Sequence, residues 1–266
     1  MRQFIIDTEP DSKGLVYIEG KDFKYIRQVL RLCVGDMIKL SYRESVINAT
    51  VCSIDDSKKK ITLQVCDVKD SLAENKTVSS RPEFWLLQFI PKPQKMELII
   101  RQAVEAGVSV IVPVIGEYTQ KGAEKGLVQK SLSNEGKQNR ISRIIKEARQ
   151  QSGSPVETKV FYSVSVEEAC GFWSSLQAEH KAALVLYERS DGTKSIYNAL
   201  KNADVIKKEN AKIAVAVGAE GGISVQEISI MKESGFIPVH FDTNILRCET
   251  ASLYGIAALQ TVLNGE

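Results

Sequence analysis

The apolar run from Ile213 to Val217, with the loop Gly218-Ala219-Glu220-Gly221-Gly222 after it, constrains the fold more than any other stretch. A short continuous apolar run rich in β-branched residues reads as a buried strand. The loop carries three glycines in five residues. Without a β-carbon, backbone N–H groups can approach a ligand closely and positive φ costs nothing. The same glycines would equally suit a tight strand-to-helix turn. Ser224 is an N-cap, and Glu227 three residues on closes a capping box, with Ile228 and Met231 on the inner helix face. A second strand over 237–241 leads into the loop 242–248 and a last helix over 249–263. Two loops thus leave the carboxyl ends of neighbouring strands, where open α/β sheets bind ligands. The glycine spacing is not G-x-G-x-x-G and no Walker lysine follows, which argues against a phosphate-anchored nucleotide.

The same alternation extends back to residue 83. Strands are expected over 84–90, 108–114, 158–161 and 182–187, and helices over 94–106, 138–151, 166–179 and 194–202. Strand-helix alternation predicts a mostly parallel α/β sheet over 83–266. Residues 71–82, polar and ending in Pro82, are the expected linker. Residues 1–70 are strand-rich at 4–6, 15–18, 37–41, 45–54 and 60–68, with turn signals between, and predict a small antiparallel barrel.

Within that first domain, 22–32 reads as one helix. Phe23, Ile26 and Leu30 form an apolar stripe, and Lys24, Arg27 and Arg31 repeat its spacing one residue on, about 100° round the helix. A solvated face explains such cations; with Arg2 and Arg43 on the same small domain they also suit phosphate contact. In the helix over 94–106, Met96, Ile99, Ile100 and Ala103 face inward, while Lys92, Lys95 and Arg101 lie outside. In 138–151, Ile141, Ile144, Ile145 and Ala148 are core positions, and Arg140, Arg143, Lys146 and Arg149 form a basic stripe, either solvated or phosphate-binding. The last helix is apolar on nearly every side and is expected to be buried. Its small residues Ala251, Gly255 and Ala258 suit a core or a dimer interface.

Composition removes several classes. Net charge is +2, so a nucleic-acid footprint must come from local placement. The five cysteines show no CxxC spacing and the two histidines are isolated, which argues against a metal site or disulfide framework. Cys52 and Cys66 fall in strand-like runs and read as buried thiols. The absence of a long apolar run or signal pattern predicts a soluble, cytoplasmic protein.

The paired motifs GAEGGIS and NILRCETAS resemble those of the RsmE family, the 16S rRNA uridine-N3 methyltransferases of the SPOUT superfamily. KPQKMELIIRQAVEAGVSVIVP at 92–113 and RQVLRLCVGD at 27–36 are similar to two further segments of that family, in the same order. The resemblance implies a C-terminal trefoil-knotted SPOUT domain with helices on both faces of its sheet, and an N-terminal PUA-like RNA-binding barrel. It implies a homodimer with the cofactor site beside the interface, S-adenosylmethionine as methyl donor, and a uridine of 16S rRNA in the small ribosomal subunit as acceptor. It brings Leu186 and Glu188, the turn of Gly218, Gly221 and Gly222, and Thr243, Ile245 and Leu246 to the cofactor. The RNA-binding candidates are Arg2, Lys24, Arg27, Arg31, Lys92, Lys95 and Arg143.

Uridine N3 carries an imide proton with a pKa of ~10, comparable to tyrosine. Its removal needs an anion stabiliser and a proton acceptor. Arg247 fits the first role, since a guanidinium stays charged. Glu249 or Glu220 fits the second if burial raises its pKa. Glu220 could equally be a structural acceptor of loop N–H groups, and Arg247 could pair with Glu249. The chain departs from the family pattern at Tyr25 for histidine, Ala219 for proline, Ser154 for arginine, Asp242 for glycine and Cys248 for threonine. Rival readings are an RNA-binding ribosome-assembly factor with an inactive methyltransferase fold, and a SPOUT methyltransferase for another RNA position.

Overall fold

The structure, a computed structural model, describes residues 3–42, 45–66, 81–123, 140–189 and 192–265. Contacts divide the chain into two units, 1–79 with 149–157, and 80–148 with 158–266. The predicted linker falls almost wholly outside the described residues, as do Arg2 and Arg43.

In the first unit, β1 (Gln3–Ile5), β2 (Leu15–Glu19), β3 (Met37–Tyr42), β4 (Ser45–Asp55) and β5 (Lys60–Val65) form a sheet of order β1-β3-β4-β5-β2. Period-2 alternation sends Val16, Ile18, Ile38, Leu40, Ile61 and Leu63 into one core with Phe4, Phe23 and Ile26. The expected all-antiparallel arrangement needs correcting, because β1 pairs with β3 in parallel. A register shift between Val51 and Ser53 makes Cys52 the extra residue of a bulge. Cys52 is therefore exposed and Cys66 half-buried, not the buried thiols expected.

The single helix expected over 22–32 is also corrected. A short helix α1 (Gly20–Lys24) passes into a π-helical stretch, Tyr25–Leu30, and Arg31 closes it at a left-handed φ of 53°. The wider π turn removes the 3.6-residue period, so Lys24, Arg27 and Arg31 lose their shared stripe. Phe23 and Ile26 keep their places in the core.

The second unit has β6 (Glu83–Phe89), β7 (Val110–Val114), β8 (Lys159–Val160), β9 (Lys181–Leu186), β10 (Lys212–Val217) and β11 (Ile237–Val239). All five pairings in the order β11-β9-β10-β6-β7-β8 are parallel. Parallel strands require crossover connections, which the helices between them supply: α2 (Pro93–Glu105), α3 (Arg140–Ser152), α4 (Val166–Ser175), α5 (Ile196–Asn202) and α6 (Val225–Glu233), while α7 (Cys248–Asn264) follows the last strand. Phe84 and Leu86 of β6, and Ile213, Val215 and Val217 of β10, pack on α2, α3, α5 and α7. Trp85, Leu87 and Phe89, and Ala214 and Ala216, pack on α4 and α6 across the other face. The predicted helix-sheet-helix layering is present.

The last helix differs from expectation. Gly255, Ile256, Leu259 and Leu263 are buried, but Leu253 and Tyr254 are 38% and 48% exposed. An apolar helix of this kind can leave one face uncovered when a single layer of protein lies beneath it.

Candidate active site

The connection α5 lies on one face of the sheet and α6 on the other, and both adjoin β10. Helices diverging to opposite faces leave a crevice at the carboxyl ends of the strands. A cavity of about 380 Å³ lies there. Its apolar walls include Leu186, Val217, Ile223, Val239, Phe241 and Leu246, and polar groups enter from Lys95, Glu188, Glu220, Thr243 and Arg247.

The glycines of the β10–α6 loop have separate reasons. A β-carbon on Gly218 would lie 2.8 Å from the Gly222 carbonyl carbon. Gly218 therefore lets the loop fold back on itself, where Gly222 N donates to Ala219 O at 3.0 Å. Gly222 adopts a φ of 78°. A β-carbon on Gly221 would lie 2.7 Å from Tyr118 Cβ. Gly218 and Gly222 line the cavity, whereas Gly221 is absent from its wall.

The capping box beyond this turn is as predicted. Glu227 N donates to Ser224 Oγ at 3.3 Å, and Ser224 N donates back to Glu227 Oε2 at 2.8 Å. Glu227 Oε1 also accepts from Glu117 N at 2.7 Å, which ties the loop after β7 to the start of α6.

The opposite wall is the turn before α7. Arg247 is its N-cap residue, exposed and on the cavity. Among the described residues it makes no ion pair, so the suggested pairing with Glu249 is replaced by another. Lys95 Nζ lies 3.2 Å from Glu249 Oε2 and 3.5 Å from Glu220 Oε1. Burial acts to raise the Glu249 pKa, but its backbone N–H, Cys248 and Lys95 outweigh it and hold the carboxyl below the ordinary range. The raised pKa required of a general base is therefore not met at Glu249. Burial, then the Glu249 carboxylate, push the Cys248 thiol up to about 12, against the opposing effect of Lys95. Cys248 is neutral at physiological pH.

A family model described as an RNA methyltransferase domain matches residues 79–260. The chain belongs to this RNA methyltransferase family. The RsmE resemblance of its motifs is borne out among the relatives of this family member. It is 26% identical over 268 residues to Ribosomal RNA small subunit methyltransferase E 2 of Borreliella burgdorferi, covering 99% of this chain and 98% of that one. It is 25% identical over 252 residues to Ribosomal RNA small subunit methyltransferase E of Bacillus subtilis, covering 91% and 88%. The fold is that of Ribosomal RNA small subunit methyltransferase E from Neisseria gonorrhoeae bound to S-adenosyl methionine, with a TM-score of 0.73, 24% identity, and 98% and 97% of the two chains covered.

In this RNA methyltransferase, the cavity brings together Leu186, Glu188, Gly218, Glu220, Gly222, Thr243, Ile245, Leu246 and Arg247. Glu249 adjoins it through Lys95, and Ile245 is 83% exposed at its edge. Asp242 is exposed and off the cavity wall, so the side chain that departs from the family glycine does not intrude. The cationic candidates are dispersed. Arg27 pairs with Asp56 at 3.2 Å and donates to Leu32 O, Arg143 lies 3.9 Å from Glu147, and Lys24, Arg31 and Lys92 are exposed. Lys95, expected at the RNA surface, turns into the cavity. Arg149 of the expected basic stripe is buried.

Sequence reasoning missed Gln88 and Ser252, both buried. Gln88 Nε2 lies 2.9 Å from Phe89 O, 3.2 Å from Val217 O and 3.3 Å from Gly218 O, and Ser252 Oγ donates to Gln88 Oε1 at 2.6 Å. The available signal was a lone polar residue in the run FWLLQFI, since buried amides must find partners.

Proposed function

We propose that the chain is an S-adenosylmethionine-dependent methyltransferase of small-subunit ribosomal RNA, modifying N3 of a uridine. The observation that carries this reading is the meeting of the Gly218–Gly222 turn and the turn before Arg247 around one cavity. Its 380 Å³ falls within the size range of small-molecule sites. Apolar walls at Leu186, Val239 and Leu246 suit adenine, exposed loop amides suit its edge, and Glu188 and Glu220 suit the cationic end of the donor. When bound, the donor supplies a methyl group on a sulfonium.

The protein's residues then have distinct tasks. Arg247, at the cavity rim and without an ion pair among the described residues, stabilises the uridine as N3 gives up its proton and becomes anionic. Glu220, on the cavity wall, is the carboxylate proposed to take that proton, while Glu249, held below the ordinary range, stays ionised. With N3 deprotonated, its lone pair would be the acceptor for the methyl that a bound donor supplies.

The first unit is proposed as a PUA-like RNA-binding domain, with Lys24, Arg31 and, outside the described residues, Arg2 as its candidate phosphate contacts and Arg27 partly neutralised by Asp56. Lys92 and Arg143 are the proposed contacts of the second unit, while Lys95 is withdrawn from that role. A trefoil knot is supported by β11 lying between two parts of one segment: Tyr187 N donates to Val239 O at 2.9 Å and Lys194 N to Pro238 O at 3.0 Å, from its two sides. The uncovered Leu253 and Tyr254 face supports a homodimer. Among the described residues no helix is long and apolar enough to cross a membrane; the proposed ribosomal substrate supports a cytoplasmic location.

Mass spectrometry of rRNA nucleosides from a deletion strain, with and without the restored gene, tests the reading. N3-methyluridine that disappears and returns with the gene supports it. An unchanged nucleoside profile, or loss of a different methylated nucleoside, overturns the assignment.

A further inference from the structure

The Lys95 ammonium touches three segments distant in sequence. Lys95 is in the first turn of α2, Glu220 in the glycine turn after β10, and Glu249 in the first turn of α7. Its Nζ is 3.2 Å from Glu249 Oε2, 3.5 Å from Glu220 Oε1 and 4.0 Å from Cys248 Sγ. The Lys92 backbone N–H also donates to Glu220 Oε1, at 3.3 Å. The side chains are 29%, 34% and 16% exposed for Lys95, Glu220 and Glu249. Ion pairs this open to water add little to global stability, because solvation and screening offset the attraction. What they can do is set the position of a turn and the charge of a cavity wall.

We propose that Lys95 is a positioning residue for the methyl donor. Acting through Glu220 and Glu249, its ammonium draws the glycine turn against the start of α7 and leaves this wall with one net negative charge. The inference rests on the reading that the cavity takes a sulfonium donor. Without the ammonium, two carboxylates that share one counter-ion repel each other and the glycine turn loses a tether. The wall then carries two negative charges, which still attract a cation but offer nothing to a neutral ligand.

That difference gives a test independent of turnover. S-adenosylmethionine carries the sulfonium charge and S-adenosylhomocysteine lacks it, so calorimetric titration of both separates geometry from charge. For Lys95→Met, the neutral ligand should bind about tenfold more weakly, or about 1.4 kcal/mol. The sulfonium ligand should lose less, so the preference for it rises. Lys95→Arg should restore both affinities. Glu249→Gln removes a negative charge from the same wall and should lower the preference for the sulfonium, an expectation that stands even if Lys95→Met fails to fold. Equal losses for both ligands in Lys95→Met, or no loss, would overturn the positioning role. If the wild-type chain bound neither ligand, the cavity reading itself would fall.

Discussion

The hydroxyl of Ser252 donates to Gln88 Oε1 at 2.6 Å, joining α7 to β6 beneath the glycine turn. The same glutamine offers its Nε2 hydrogens to the carbonyls of Val217 and Gly218, so one side chain links β6 and α7 to the end of β10, which lines the cavity. Both residues are at most 2% exposed. Ser252→Ala should leave Gln88 Oε1 buried without its donor, costing about 1–3 kcal/mol. Urea unfolding at unchanged m-value measures this, and a loss below about 0.5 kcal/mol would show that the amide finds another partner.

Gly255 is conformationally ordinary but closely approached by a side chain. A β-carbon there would come within 2.8 Å of Leu186 Cδ1, on the side chain that lines the cavity. Alanine is favoured over glycine inside a helix by up to about 1 kcal/mol. Leu186 can turn aside, so Gly255→Ala should change stability by less than about 1 kcal/mol while weakening S-adenosylmethionine binding severalfold. Calorimetric titration beside a melting curve checks both; unchanged affinity would exclude Leu186 from the ligand's wall.

The thiols should fall into separate classes. Cys33 and Cys52 are exposed, Cys66 is half-buried, and Cys170 and Cys248 are buried. Burial raises the pKa of Cys170, and that of Cys248 to about 12, which suppresses the reactive thiolate. A disulfide reagent at pH 8 should modify Cys33 and Cys52 promptly and reach Cys170 and Cys248 only on unfolding. Rapid labelling of Cys248 would contradict the packing of the first turn of α7.

Stability should respond to the Glu249 carboxyl in acid. Its folded pKa lies below the ordinary 4.5, so folding favours the ionised form. The contribution is complete above that ordinary value and is lost as pH falls through the lower folded value. Melting temperatures from pH 6 down to pH 2 should therefore fall less steeply for Glu249→Gln than for wild type over the range below about pH 4.5. Parallel curves would mean that the backbone N–H, Cys248 and Lys95 together do not hold this carboxylate ionised.

Strand-helix order, the inward faces of the helices and the capping box of Ser224 with Glu227 were determined by near neighbours, and so were legible in the sequence. Apolar spacing at 2.0 or 3.6 residues, glycine and a capping serine act over one or two turns. The paired glycine and Arg247 motifs likewise identified the family, because each is a contiguous stretch. The fate of individual polar side chains was settled only in three dimensions. Lys95 has the same local surroundings as an outward-facing helix lysine; it enters the cavity because Glu220 and Glu249 converge on it from far along the chain. Cys52 became exposed through a bulge between two strands, and the cations of 24–31 parted where the helix widened. Local composition specifies which elements form, whereas charge pairing and the burial of a lone amide such as Gln88 depend on partners that only folding brings near.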